Sequence, residues 1–167
     1  GKRIPSKGRI INVDFGDYDE QPSGLMEWTA AVFGIPIEMD DPPLRRYPLA
    51  TWTLTMVIIL VFLFVFRNND VPADWGFVSE EPFRYYGLTI ITSFFLHGNI
   101  VHLFCNLYFF MVFGDNVEDN LGTAKFLIML FLSHVAGLIL FSFLDPRSDI
   151  PTIGASGGIA GVIAYYA

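Results

Sequence analysis

The sequence is poor in charge, in cysteine and in histidine. Charged residues make up 16% of the 167 residues, against about a quarter in an ordinary soluble domain. Ten Lys and Arg against seventeen Asp and Glu leave a net charge of −7 and no basic stripe, which excludes a nucleic-acid binder. One cysteine, Cys105, leaves no disulfide framework and no cysteine-based metal site. What replaces the missing charge is apolar: 53% of residues are hydrophobic and 16% aromatic, which excludes a disordered chain.

The apolar residues come in long runs. No charge interrupts Leu49 to Phe66, Tyr85 to Gly114, Phe126 to Leu144 or Ile150 to Ala167. A hydrocarbon core takes about 20 apolar residues to cross as a helix, so these runs predict an all-α, polytopic membrane protein. The spans are expected at about 49–66, 95–114, 124–144 and 154–167, in a membrane domain over 47–167. None reads as a signal peptide, since the first lies far from the N-terminus and lacks a small-residue cleavage site. A helix starting near Gly154 has about fourteen residues and rises about 21 Å, short of the roughly 30 Å core. Together with Gly1 in place of an initiator Met, this sets the expectation that the sequence is cut within its fourth transmembrane helix.

Residues 1–46 form a polar N-terminal segment, expected on the cytoplasmic side next to the membrane. Within 1–48 lie six of the ten basic residues and eight acidic ones. Leu25 to Glu38 reads either as a short amphipathic helix or as part of a polar leader, and Pro36, Pro42, Pro43 and Pro48 favour an extended approach to the first span. Arg45 and Arg46 precede that span, while Arg67, Arg84, Lys125 and Arg147 are spread over the later connections. The bias of Lys and Arg favours a cytoplasmic N-terminus. It places 67–93 and 145–153 outside and 115–125 inside, in a multi-pass protein expected in the plasma membrane.

Polar side chains inside spans are costly and therefore informative. His102 and Asn106 are four apart, so on a helix they share a face; they suit either an interhelical hydrogen-bond pair or a site that converges on one point. His97 is about 140° away from His102 in helical projection and is expected to do a different job. The run Gly154-Ala155-Ser156-Gly157-Gly158-Ile159-Ala160-Gly161 allows two readings. Gly157 with Gly161, and Gly154 with Gly158, make a small-residue packing seam. Alternatively Ser156 is a nucleophile at a helix start, where open N–H groups and the helix dipole stabilise an oxyanion. The joint pattern is stronger than either half, because His102 and Asn106 can supply donors to a serine on another helix. An obvious base is missing.

The text His97-Gly-Asn-Ile-Val-His102-Leu-Phe-Cys-Asn106, then Phe113-Gly114, then Val117-Glu118 with Gly122, then Gly154-Ala155-Ser156-Gly157 resembles the rhomboid family of intramembrane serine proteases, over about residues 43–167. The resemblance implies a rhomboid-type bundle of which this chain holds about four of six core transmembrane helices. It implies a Ser–His dyad that cuts single-pass transmembrane substrates, with no cofactor and no metal; the oligomeric state is left open. By position, Ser156 matches the nucleophile, His102 and Asn106 the oxyanion donors, and Gly154, Ala155 and Gly157 the motif around the serine. His97 matches a structural histidine and Glu118 an acceptor holding the inner loop. Phe83-Arg84 stands where the family has a Trp-Arg pair in the outer leaflet. The family's base is a histidine on the sixth helix, expected beyond Ala167, so this chain alone is expected to be inactive. His134 reads as a packing histidine. A different class of function is a rhomboid relative that has lost catalysis and binds and routes membrane-protein clients. A transporter is disfavoured because no Asp, Glu, Lys or Arg lies in the interior of an expected span.

Overall fold

The structure, a computed structural model, describes residues 44, 46–66 and 70–167. The segment at Leu25–Glu38, Arg45 and Arg67 lie outside the described residues. Among the described residues six α-helices follow in order: α1 (Leu49–Val65), α2 (Asp70–Trp75), α3 (Leu88–Phe95), α4 (Ile100–Leu121), α5 (Thr123–Leu144) and α6 (Ser156–Tyr166), with a short 3-10 helix, Arg84–Gly87, before α3. Among the described residues there is no strand, only an isolated antiparallel bridge between Phe77 and Thr152.

Long helices follow from the apolar runs because a chain in hydrocarbon must satisfy its own backbone. Each of α4 and α5 has 22 residues, or about 33 Å, and is long and apolar enough to cross a membrane. α1 is apolar but has 17 residues, or about 26 Å. Leu60, Leu63 and Phe64 of α1 and Ile128, Leu132, Ile139, Leu140 and Phe143 of α5 are exposed, as lipid-facing side chains are. Phe110, Phe126, Ile58, Val117 and Val162 are fully buried between the helices.

Two boundaries differ from the expected ones. The charge-free stretch 85–114 is not one rod: α3 ends at Phe95, and α4 starts only at Ile100, where the Asn99 side chain accepts from the His102 N–H at 2.8 Å. α4 then runs on past Gly114 through Asp115, Glu118 and Asp119, so the expected inner loop at 115–125 is helix apart from Gly122. Gly122 alone turns the chain, with φ +78°, a conformation that favours glycine.

Ionisable residues therefore do lie within α4, and Glu118 explains how one is tolerated. It is 2% exposed. Its carboxylate accepts from the Ala50 and Thr51 N–H groups at 3.0 and 2.8 Å and from the Thr51 and Thr123 hydroxyls at 2.9 and 2.7 Å. Two otherwise open N–H groups at the start of α1 are thus satisfied by a negative charge where the helix dipole favours one. The Asp119 carboxylate accepts the Arg46 N–H at 2.9 Å. Near this junction a Cβ on Gly114 would stand 3.1 Å from Thr51.

At the other end of these helices the loops are tied to each other. Phe77 and Thr152 exchange N–H···O bonds of 3.0 and 2.7 Å, and the Glu80 N–H donates to the Ser148 carbonyl at 3.3 Å. Arg84 Nη2 donates to the carbonyls of Ala73, Asp74 and Gly76 at 2.9, 2.6 and 2.9 Å. Trp75 stacks on Tyr85, while Phe83 is 80% exposed. Tyr85 and Tyr86 both have positive φ, a strained backbone for residues with a Cβ, and the Arg84 bonds and the Trp75 stack hold this turn.

Candidate active site

Ser156 opens α6, and the geometry around it comes from three glycines packed on α5. A Cβ on Gly157 would stand 3.4 Å from the His134 backbone, one on Gly158 2.9 Å from the Leu130 carbonyl, and one on Gly161 would overlap Ser133. Small residues let the two backbones approach this closely. The seam is therefore Gly157, Gly158 and Gly161. Gly154, expected to pair with Gly158, stands before the helix and does something else. Its φ is +119°, and a Cβ there would lie 2.7 Å from His102 Nε2. The glycine run is thus both a packing seam toward α5 and a frame that turns Ser156 away from it.

On its other side α6 faces α4. Ser156 lines a cavity of about 240 Å³ with Cys105, Asn106, Phe109, Ile159, Ala160 and Ile163. Ala160, four residues after Ser156, lies on the serine's face. Ser156 is exposed and Asn106 is 7% exposed. The Asn106 amide donates one proton to the His102 carbonyl at 2.9 Å, leaving a second N–H. His102 is half-buried against Gly154. The structure thus brings Ser156, Asn106, His102 and Gly154 to one place, from two helices and the turn before α6. Ser156 sits level with His134, about ten residues or roughly 15 Å below the end of α5.

Two of the three histidines are spoken for. His134 is 2% exposed, and its Nε2 lies 3.0 Å from the Ile90 carbonyl and 3.3 Å from Ser93 Oγ. A carbonyl only accepts, so His134 Nε2 carries the proton and holds α3 against α5, the packing role its position suggests. Ser93 in turn accepts the Gly154 N–H at its carbonyl, 2.8 Å. His97, in the connection between α3 and α4, has its Nδ1 3.2 Å from the Phe95 carbonyl. Burial lowers its pKa to about 4 against the raising effect of the Phe95 carbonyl, and His102 adds a smaller lowering. The ring is neutral at pH 7. Among the described residues no three His, Cys, Asp or Glu side chains cluster as metal ligands.

The model of the Rhomboid domain family matches residues 84–167. The chain belongs to the rhomboid family. This rhomboid is similar to Rhomboid-like protease 3 of Toxoplasma gondii, 36% identical over 44% of this chain and 27% of that one. It is similar to the Putative rhomboid protease YdcA of Bacillus subtilis, 28% identical over 74% of this chain and 63% of that one. It also resembles Inactive rhomboid protein 1 of Drosophila melanogaster, 33% identical over 58% of this chain and 6% of that one. The chain spans less than two thirds of the length of each of these relatives. No solved structure matches it at the same stringency. With its apolar helices α4 and α5, this rhomboid is an integral membrane protein with a helical rhomboid-type fold.

Sequence reasoning missed Ser93, which links Gly154 to His134, and the Phe77–Thr152 bridge. Neither follows a period or a motif, since both join segments far apart in the chain. Cys105 carried no signal beyond being the one cysteine, yet it lines the same cavity as Ser156.

Proposed function

We propose that the protein is an intramembrane serine endopeptidase that cleaves transmembrane segments of single-pass membrane proteins. The observation that carries this is Ser156 at the head of α6, in one cavity with Asn106 and beside a glycine held against His102. Ser156 is the nucleophile. Developing negative charge on the scissile carbonyl is met by donors from His102, from the second Asn106 N–H and from the Ser156 backbone N–H at the positive end of α6. Ala155 and Gly157 complete the frame around the serine. A nucleophilic serine also takes a base. His134 Nε2 is committed to Ile90 and Ser93, which suits packing; the base histidine is the one that the resemblance to rhomboid proteases implies on a later helix, beyond Ala167. The reaction uses no cofactor and no metal.

Substrate reaches Ser156 as unwound backbone, because a helix keeps its peptide groups bonded to itself. The arrangement of Arg45 and Arg46 before α1 supports a cytoplasmic polar segment at 1–46, leading into the membrane domain at 47–167, in a plasma membrane. That orientation puts the tied loops around Arg84 and Thr152 outside and Glu118 inside. Similarity to a relative named inactive supports a second reading, a client-binding protein without turnover.

The test is labelling of the full-length protein in membranes with a fluorophosphonate or isocoumarin probe. Labelling that disappears in Ser156→Ala supports the protease. Loss of the nucleophile costs about 10⁴-fold or more in soluble serine proteases, so the signal is all or none. Equal labelling of Ser156→Ala, or no labelling by several probes, sinks the reading in favour of client binding.

A further inference from the structure

A second cavity, of about 230 Å³, shares no residue with the one at Ser156. Buried Phe94 and Leu130 and half-buried Leu54 and Phe95 form its walls, and exposed Ile91, Leu127 and Phe131 its mouth, so α1, α3 and α5 all contribute. No lining side chain carries a hydrogen-bonding group, and a buried water takes about two to four polar partners, so water does not fill it. An apolar cavity of about 150 Å³ stays dry and takes up benzene. At the mouth, Leu127 and Phe131 adjoin Ile128 and Leu132 of the exposed, lipid-facing surface of α5. They stand about 6 and 12 Å along α5 from its start, within the roughly 15 Å of one leaflet's hydrocarbon. That is the depth of lipid tails. A helix, about 10–12 Å across and 5.4 Å per turn, takes up roughly 400–600 Å³ per turn, so the groove admits a single hydrocarbon chain and no helix.

We propose that this groove between α1, α3 and α5 is a binding site for one acyl chain of a membrane lipid. Phe94 joins the site to the serine's helix. A Cβ on Gly158 would stand 3.0 Å from Phe94 Cε2, the Phe94 ring meets His134 edge-on with centroids 5.3 Å apart, and the Ser93 carbonyl beside it accepts the Gly154 N–H. The bound chain packs the groove side of Phe94, where an empty space would leave the ring without contacts. Binding does not depend on Ser156 being a nucleophile.

The experiment uses full-length protein in vesicles of phosphatidylcholine that carries a diazirine midway along one acyl chain. After irradiation and digestion, the lipid adducts are mapped by mass spectrometry. Lipid that only surrounds the protein labels side chains in proportion to exposure, so Leu132 and Leu140 would lead and Phe94 and Leu130 would stay bare. A chain in the groove is expected to label Phe94 and Leu130, and to label Leu127 and Phe131 at least as strongly as the more exposed Leu132. Leu54→Trp fills the groove and is expected to lower the Phe94 and Leu130 adducts at least fivefold, while Leu60→Trp, on the exposed face of α1, leaves them unchanged. Ile91→Trp, at the exposed mouth, carries the same expectation should Leu54→Trp fail to fold. Adducts confined to exposed residues overturn the proposal, as they would if another segment or a second copy of the chain filled the groove. Adducts on Phe94 and Leu130 that persist in both filled variants overturn it too. The readout is lipid, not turnover, and stands apart from the outcome of probe labelling.

Discussion

Replacing Glu118 by glutamine tests how the start of α1 is held. One carboxylate oxygen accepts from the Ala50 N–H and the Thr123 hydroxyl, the other from the Thr51 N–H and hydroxyl. Whichever oxygen becomes the amide NH₂, one backbone N–H of α1 is left facing a donor. A buried unsatisfied group costs about 1–3 kcal/mol, and the remaining bonds fall from the charged range of about 1.5–3 kcal/mol each to the neutral range of about 0.5–1.5. The lost charge at the helix start removes about 0.3–2 kcal/mol more. The sum points to a loss of roughly 3–5 kcal/mol in Glu118→Gln. At about 2–4 °C per kcal/mol for a protein of this size, Tm falls by roughly 6–20 °C. Thermal unfolding of the full-length protein in detergent measures this, with Asp149→Asn at an exposed position as a control expected within about 0.5 kcal/mol. A loss in Glu118→Gln below about 1 kcal/mol would refute the account, since no arrangement of the amide satisfies all four donors.

Gly161→Val drives a side chain into Ser133, so α5 and α6 separate; a loss of about 3 kcal/mol or more in Tm-derived stability is expected, beyond the usual range for overpacking. Gly154→Ala combines a disfavoured φ of +119° with a methyl against His102 Nε2; probe labelling of Ser156 is expected to fall at least tenfold while Tm moves by only a few degrees, and normal labelling would show that this contact does not matter. His134→Gln keeps a donor that can reach the Ile90 carbonyl, so labelling of the full-length protein persists with stability lowered by about 1–2 kcal/mol; complete loss of labelling with an unchanged Tm would instead make His134 the base.

The apolar runs made the long helices legible because a membrane leaves so few alternatives. Their ends were less so. Residues 115–121 looked like a loop because they carry three acids, yet Glu118 is neutralised by the start of α1, a partner some 68 residues away in the chain. Asn99 is a helix cap of ordinary type, and reading it as one would have placed the start of α4. At the site, the pairing of Ser156 with Asn106 was legible from spacing and motif. The split of the glycines was not: Gly154 and Gly158 are four apart, but only Gly158 is helical, because Gly154 has a backbone turn that no spacing rule records. Ser93 was invisible too, because it meets Gly154 through a backbone carbonyl that any residue type offers and its hydroxyl meets His134 from a segment 41 residues away.

The single-residue turn at Gly122 bears on how the protein is made. Two helices of 22 residues joined by one residue leave no tether long enough for one to settle across the bilayer while the other waits at its surface. They enter as one hairpin, with the phase of α5 about its own axis set by that joint. One added residue there would rotate α5 about its own axis by about 100° relative to α4, against which α6 is also packed. Gly137 and the His134 backbone would swing away from α6, and the serine would lose its floor although every residue of the motif remained.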